Sequence, residues 1–546
     1  MPTTAILASD CHQSVIIVVM MDGSLGQNRT RPRAWSPVLF GLGLVMALSW
    51  SPSTSVSAEE PIQLSVAVHV HSEASTGTLS LESIAQRAEQ LGLDAVIFTE
   101  NLVLRYEYGL PPFRSLLRFV REFPSLIDYG ITRYVAELND VQSRHPAVIL
   151  VPGIEAAPYA YWTGSLWSGD LTLHDTQKNL LVFGLKDPAH YRQLPAIGNP
   201  AAYHVTAEAV MVLVLPPLLM TLATVMGLRD RRALREGLVA RLSRPRLVAM
   251  CSSAAVGATL LWAAWPIGRP PYPIYDSGQG YRPYQQFIEA ARDAGGLIFW
   301  SMVEARDHEI HSFGPLGDVT VTTEPHPDAL ILTDHYTGFG GLYQEAHRAI
   351  QPGQIWDRTI ELFLRGERPA PPVMLGEIAF HAPDHAGKDL DQVLSIVSVR
   401  SRTTDALLSA LRTGNLYAVE RRKKEFALRL ETFRIECDGG RRHASMGEIL
   451  DPEGQRDVVI RASISATDRQ AHPITVTLIR SGETLSRQSG TTPLTIDFPD
   501  KTAPAERWLA YRILVEGEGE LVSNPVFVGP MPSTQLATTA SGEARL

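Results

Sequence analysis

Apolar and polar residues come in alternating blocks along the chain, and the blocks predict its elements. Leu64-Ser65-Val66-Ala67-Val68-His69-Val70-His71-Ser72 is short, apolar and β-branched, which predicts a buried strand. A helical segment from Leu81 to Leu91 follows, then a second strand from Asp94 to Glu100. Helical spacing predicts helices over Arg114 to Arg121 and Leu126 to Gln142; apolar runs predict strands over Ala147 to Glu155 and Leu180 to Gly184. The pattern resumes much later. A helix is expected over Tyr284 to Ala294 and strands over Gly296 to Trp300, Ala329 to His335 and Val373 to His381. Further helices are expected over Ile355 to Arg365 and Asp405 to Thr413. Seven strand-plus-helix units fit a (β/α)7 barrel.

Two apolar runs, 209–228 and 247–267, interrupt this alternation. Each has the length of about 20 residues that matches a bilayer's hydrocarbon core, and a transmembrane helix tolerates Pro216-Pro217 as a kink. The connector 229–246 carries seven Arg against Asp230 and Glu236, which predicts a cytoplasmic loop. Near the start, Arg29, Arg31 and Arg33 precede an apolar run from Val38 to Leu48 and a small-residue ending, Val56-Ser57-Ala58. That is the pattern of a secretory signal or a signal anchor. Both charge asymmetries place the same side outside. The expected location is therefore the cytoplasmic membrane, with the bulk of the chain on its outer, periplasmic or extracellular, side.

Beyond Glu425 the runs Phe426 to Ile435, Val458 to Ile464, Ile474 to Ile479 and Tyr511 to Val515 are β-rich and separated by turn residues. They predict a small antiparallel β-sandwich. The expected organisation is a leader over 1–58, a first barrel half over 59–205, a transmembrane hairpin over 206–268, a second barrel half over 269–424, a sandwich over 425–530 and a disordered tail over 531–546.

Composition narrows the function. The net charge of −9, with 49 Lys and Arg, gives no basic footprint for nucleic acid. Cys11, Cys251 and Cys437 stand far apart and form neither a disulfide framework nor a cysteine zinc site. The chemistry lies instead at the end of the first strand. Residues i and i+2 of a strand share a side, so His69 and His71 present two imidazoles where α/β barrels place their chemistry.

His69-Val70-His71-Ser72, a helix and then Gly92-Leu93-Asp94-Ala95-Val96-Ile97-Phe98-Thr99-Glu100-Asn101 resemble the opening of the PHP (polymerase and histidinol phosphatase) domain family. The helix over Trp356-Asp357-Arg358 and the stretch Leu407 to Tyr417 are similar to that family's later helices. The resemblance implies a distorted TIM-like (β/α)7 barrel, here interrupted by the transmembrane hairpin and followed by the sandwich. It also implies one or more divalent ions (Zn, Mn or Fe) that activate water and hold phosphate oxygens. On the family's pattern His69, His71, Glu155 (in Val151-Pro152-Gly153-Ile154-Glu155) and His381 stand at metal-ligand positions, and Glu100 stands as ligand or base. The chain departs from it at Glu100, Asn101, Asn179, Trp300-Ser301-Met302 and Ala379, where the family has Asp, His, His, His-Pro and Asp. Substitutes near the strand ends are Asp334 and His335, Asp307 and His308 with Glu304, and Asp384 and His385. The aromatic group Tyr159, Tyr161, Trp162 and Trp167 suits a lid, a stacking platform or a membrane interface. The expected function is a membrane-anchored, exported phosphoesterase with a reduced metal site, acting on a small phosphoester. The alternative is a degenerate barrel that binds a ligand or partner without turnover.

Overall fold

The β-branched run at the start forms strand β1 (Ile62–Val70), which is buried along most of its length. The computed structural model describes residues 61–530 apart from 112–113, 115–116, 206, 237–243, 264–268, 345–346, 386–387, 454–456 and 502–506. The expected leader and tail lie outside the described residues.

The remaining barrel strands are β2 (Ala95–Phe98), β3 (Ile149–Val151), β4 (Gly153–Ala156), β5 (Leu180–Phe183), β6 (Leu297–Trp300), β7 (Gly338–Leu342) and β8 (Val373–Gly376). β3 and β4 are one strand broken at Pro152, and Glu100–Asn101 prolongs β2 alongside β4. β1 pairs with β2, and β2 with β3, in parallel; β6, β7 and β8 also pair in parallel. The wall closes where the stretch after β8 returns to β1, through Ile378 N–H to Val68 O at 3.0 Å and His71 N–H to Phe380 O at 2.9 Å. β5 runs antiparallel to both neighbours, β4 and β6. Its first residue is therefore at the end of the barrel where the other strands finish.

Period-2 alternation sorts the strand residues into two sets. Val66, Val68, Ala95, Ile97, Ile149, Val151, Leu181, Phe183, Leu297, Phe299, Val373 and Leu375 form one apolar cluster, the barrel interior. Ala67, Val96, Phe98, Leu150, Ile154, Val182 and Ile298 join the cluster outside it. There they meet α1 (Leu81–Gln90), α2 (Ile131–Arg144), α5 (Arg282–Asp293) and α6 (Ile355–Leu364), numbered with the hairpin helices α3 and α4 described below. α1 shows the local logic. Ser80 caps its first turn by accepting from Ser83 N–H at 3.1 Å, and Leu81, Ile84, Ala85 and Ala88 form its buried face. Each such leucine or isoleucine contributes about 1.5–3 kcal/mol by burial. α7 (Thr404–Thr413) adds Leu407 and Leu411 to the interior cluster and stops at Gly414, whose φ of 83° suits a residue without Cβ.

The sandwich shares backbone with the barrel. One of its sheets contains Arg442–Ser445, Leu428–Cys437, Val458–Ala466 and Leu494–Asp500. The other contains Pro473–Arg480, Glu483–Thr491, Leu509–Gly517, Glu520–Ser523 and Val526–Val528. Through β9 (Val393–Val399) and β10 (Leu416–Glu420) that second sheet continues into β1. Buried side chains reinforce the seam. Arg512 grips Asp357 of α6 at 2.8 and 2.7 Å, and Asn524 bonds both polar backbone atoms of Met374 in β8.

The structure corrects several expectations. The sixth strand is Gly338–Leu342, whereas Ala329–Leu332 is one helical turn. Asp334 and His335 therefore precede a strand instead of ending one. The segment expected to be helical over 114–121 contributes to strand Arg118–Phe123, which pairs with Leu104–Gly109. The run 209–228 falls in α3 (Ala207–Arg235) and the second run, as far as 263, in α4 (Arg244–Ala263), which lie against each other; 264–267 of that run lie outside the described residues. Among the described residues no helix is long and apolar enough to cross a membrane. α3 ends in Arg229, Asp230, Arg231, Arg232 and Arg235, α4 opens on Arg244-Pro245-Arg246, and Thr221, Thr224, Ser252, Ser253 and Thr259 interrupt the apolar residues between. The transmembrane hairpin of the expected fold is withdrawn. The membrane attachment through these runs goes with it, as does the argument that set the barrel and sandwich outside a cytoplasmic membrane.

Candidate metal centre

A break in β1 positions the first two imidazoles. Val66 and Val68 point into the barrel, so strict alternation would send His69 and His71 out into the helical layer. The pairing with β2 shifts register between Val68 and Val70, and His69 takes a φ of 72°. This bulge inserts one residue and reverses the alternation beyond it. Val70 accordingly joins the outer cluster, while His69 and His71 both face inward, ring centroids 5.1 Å apart. A left-handed φ on a non-glycine residue is costly, and such strain gathers at functional sites.

The other strands deliver their inward residues to the same level. Glu155 on β4 lies with its carboxylate 3.2 Å from His69 Nε2 and 3.5 Å from His71 Nε2. One donor atom from each of His69, His71 and Glu155 lies within 4.8 Å of the others, and all three residues are buried. His381 stacks on His71, centroids 4.2 Å apart and planes 4° apart. Asn101 Nδ2 donates to Glu155 Oε2 at 2.7 Å, and Asn179, just before antiparallel β5, donates to Oε1 at 2.7 Å. These two asparagines thus hold the glutamate. Thr76 Oγ1 donates to Asn101 Oδ1 at 2.6 Å and so accepts from His381 Nδ1 at 3.1 Å. That tautomer leaves Nε2 of His381 as a bare lone pair.

Electrostatics suit a cation. Burial holds His71 well below the ordinary histidine range, and neither of its buried ring nitrogens has a hydrogen-bond partner. Burial likewise lowers His381 to about 4. Burial opposes the charge on His69 too, but Glu155 and Glu377 outweigh it and raise the imidazole to about 9. Burial would raise Glu155; His69 and the neighbouring histidines instead lower it to about 2. An orphaned neutral imidazole beside an ionised carboxylate is the donor set that borderline divalent metals take. The residues present fit such an ion.

Glu100 is placed elsewhere. Ala95 and Ile97 face inward, so Glu100 faces the outer layer, where it accepts from Ser72 N–H at 3.0 Å and from the Ser72 and Ser75 hydroxyls. Burial raises its carboxyl to about 7. Asp307 and His308 lie on the hairpin strand Asp307–Ser312, with His308 exposed, and Asp334, His335, Asp384 and His385 are exposed. Glu304 accepts from Ala349 N–H at 2.9 Å. Among the described residues none of these joins the His69, His71 and Glu155 group. Tyr159 is buried, as is Trp162 on the strand Tyr161–Thr163, whereas Trp167 is exposed.

Two residues enter that the sequence reading did not single out. Thr76 sets the tautomer of His381. Glu377, fully buried one position after β8, accepts from His69 Nδ1 at 2.8 Å. Counting by two from Val373 and Leu375 reaches Glu377, and the same count reaches Asn101, Asn179 and Ser301.

No protein-family model and no curated protein sequence matches the chain. Among solved structures it is similar to a two-domain protein of Bacteroides vulgatus containing a predicted PHP-like metal-dependent phosphoesterase. That match has 12% identity and a TM-score of 0.34, over 83% of this chain and 90% of the other. A Bifidobacterium adolescentis protein assigned as a metal-dependent phosphoesterase matches at 14% identity and a TM-score of 0.24, over 59% and 89%. An amidohydrolase of Chromobacterium violaceum, solved with sulfate and without metal, matches at 14% and 0.23, over 58% and 88%. Likeness at this level says nothing of activity or ligand, which rest on the site itself.

Proposed function

We propose that the chain is a metal-dependent hydrolase of PHP-like type that cleaves a phosphoester at a reduced metal site. The observation that carries this reading is the convergence of three buried donor atoms, from His69, His71 and Glu155, within 4.8 Å of one another at the mouth of a barrel. The residue pattern supports it independently, since the same positions match the PHP family's ligands. His69, His71 and Glu155 would hold the ion, with His381 as the adjacent fourth donor. When bound, a divalent ion lowers the pKa of water and screens charge on a phosphoryl group. The chain's part is to keep His71 and His381 neutral by burial, to keep Glu155 ionised, and to fix its carboxylate with Asn101 and Asn179.

A screen of chromogenic phosphomonoesters and phosphodiesters with zinc or manganese tests this reading. Turnover by the wild type that falls more than about 100-fold in Glu155→Gln is the expected result. A second reading is a barrel that binds metal and ligand without turnover. It is favoured by the two Asn–Glu155 hydrogen bonds, which occupy a carboxylate that a multinuclear site would use for bridging. Metal uptake with no hydrolysis across the screen would select it.

A further inference from the structure

We infer that Glu377 is the positioning residue that aims His69 at the metal point, and this rests on the metal-site reading above. The carboxylate stands on the Nδ1 side of the ring, 2.8 Å away, while Glu155 stands on the Nε2 side at 3.2 Å. The two nitrogens of an imidazole point away from each other, so Glu377 is on the far side of His69 from the donor group.

Its surroundings are built for a carboxylate. Oε2 also accepts from the Ser301 hydroxyl at 2.9 Å, and Oε1 accepts from Met302 N–H at 2.7 Å. The two oxygens thus take every hydrogen offered to them, a task for an acceptor-only group. Gly340 on β7 leaves the space: a Cβ there would lie 1.7 Å from Glu377 Oε1. Met302, which supplies the backbone donor, takes a φ of 42° and joins His69 among the left-handed residues of the barrel mouth.

The consequence is a fixed tautomer. Nδ1 keeps its proton against Glu377, and Nε2 is the atom left to ligate. A carboxylate behind a ligating histidine sets ring orientation and raises basicity, and its loss costs about 10–100-fold in metal affinity. In Glu377→Gln at least one of the three incoming donors meets an amide N–H₂ instead of an acceptor.

The test uses the full chain. Zinc affinity is measured by competition with a chromophoric chelator, and the cobalt-substituted protein is read by its visible absorption bands. Glu377→Gln is expected to weaken zinc binding about 10–100-fold and to move the cobalt bands toward those of His69→Gln. Ser301→Ala, which strips one donor from the same oxygen, moves both readouts the same way by less and serves if the first variant misfolds. Unchanged zinc affinity in Glu377→Gln overturns the inference, as does weaker binding with unchanged cobalt bands, which marks a structural role alone. A wild type that takes up no zinc removes the metal-site reading itself, and this inference with it.

Discussion

At the scale of single residues, the barrel mouth is set by what burial does to charge. His326 is a simple case away from the donor group. It packs against Trp300, its Nε2 is buried without a partner, and burial lowers it to about 3. A histidine depressed in the folded state stays neutral while the unfolded chain takes up a proton below its ordinary value of 6.5. Stability is therefore lost as pH falls from about 6.5 toward 3, by an order of a few kcal/mol at the acid end. Denaturant melts at stepped pH should show a shallower loss over that window in His326→Gln. Asn101 offers a second test. Asn101→Asp sets a second carboxylate beside Glu155, where the amide now lies at 2.7 Å. The metal-free variant should melt lower than the wild type, and added zinc should raise its Tm by more, because a dication relieves the repulsion.

At the scale of elements, the site is a layer of inward residues, one from almost every strand. The sequence carried the strands through their β-branched runs, and the spacing of two correctly paired His69 with His71. It did not carry the side they face, because that depends on the bulge between Val68 and Val70. The antiparallel course of β5 was hidden as well, since an apolar run such as Leu180–Phe183 reads the same in either direction. Without that course Asn179 looks like a lost ligand; with it, the residue holds Glu155. The sixth strand was misplaced because Ala329–Leu332 is more apolar and less glycine-rich than Gly338–Leu342. The glycines of β7 have a packing reason. Gly340→Ala would push its Cβ into Glu377 and should lower zinc affinity as Glu377→Gln does, while removing no charge.

At the scale of the molecule, barrel and sandwich form a single framework. The sheet that begins in the sandwich runs through β10 and β9 into β1, the strand carrying His69, and on to β2 and β3, and the described residues from 61 to 530 belong to one compact unit. Heating should therefore unfold both parts in one calorimetric transition. Arg512→Ala leaves Asp357 buried without its partner, a loss of about 3–5 kcal/mol, and should lower that single transition instead of splitting it. Two transitions would show that the seam is not cooperative.

The central claim is a metal ion held by His69, His71 and Glu155, and counting it is the most direct test. The full chain, purified without chelator and offered zinc and manganese, is assayed by elemental analysis beside a His69→Ala/His71→Ala variant. About one divalent ion per wild-type chain, lost from the variant, is the predicted result. No ion in the wild type, or an equal content in both proteins, would contradict it.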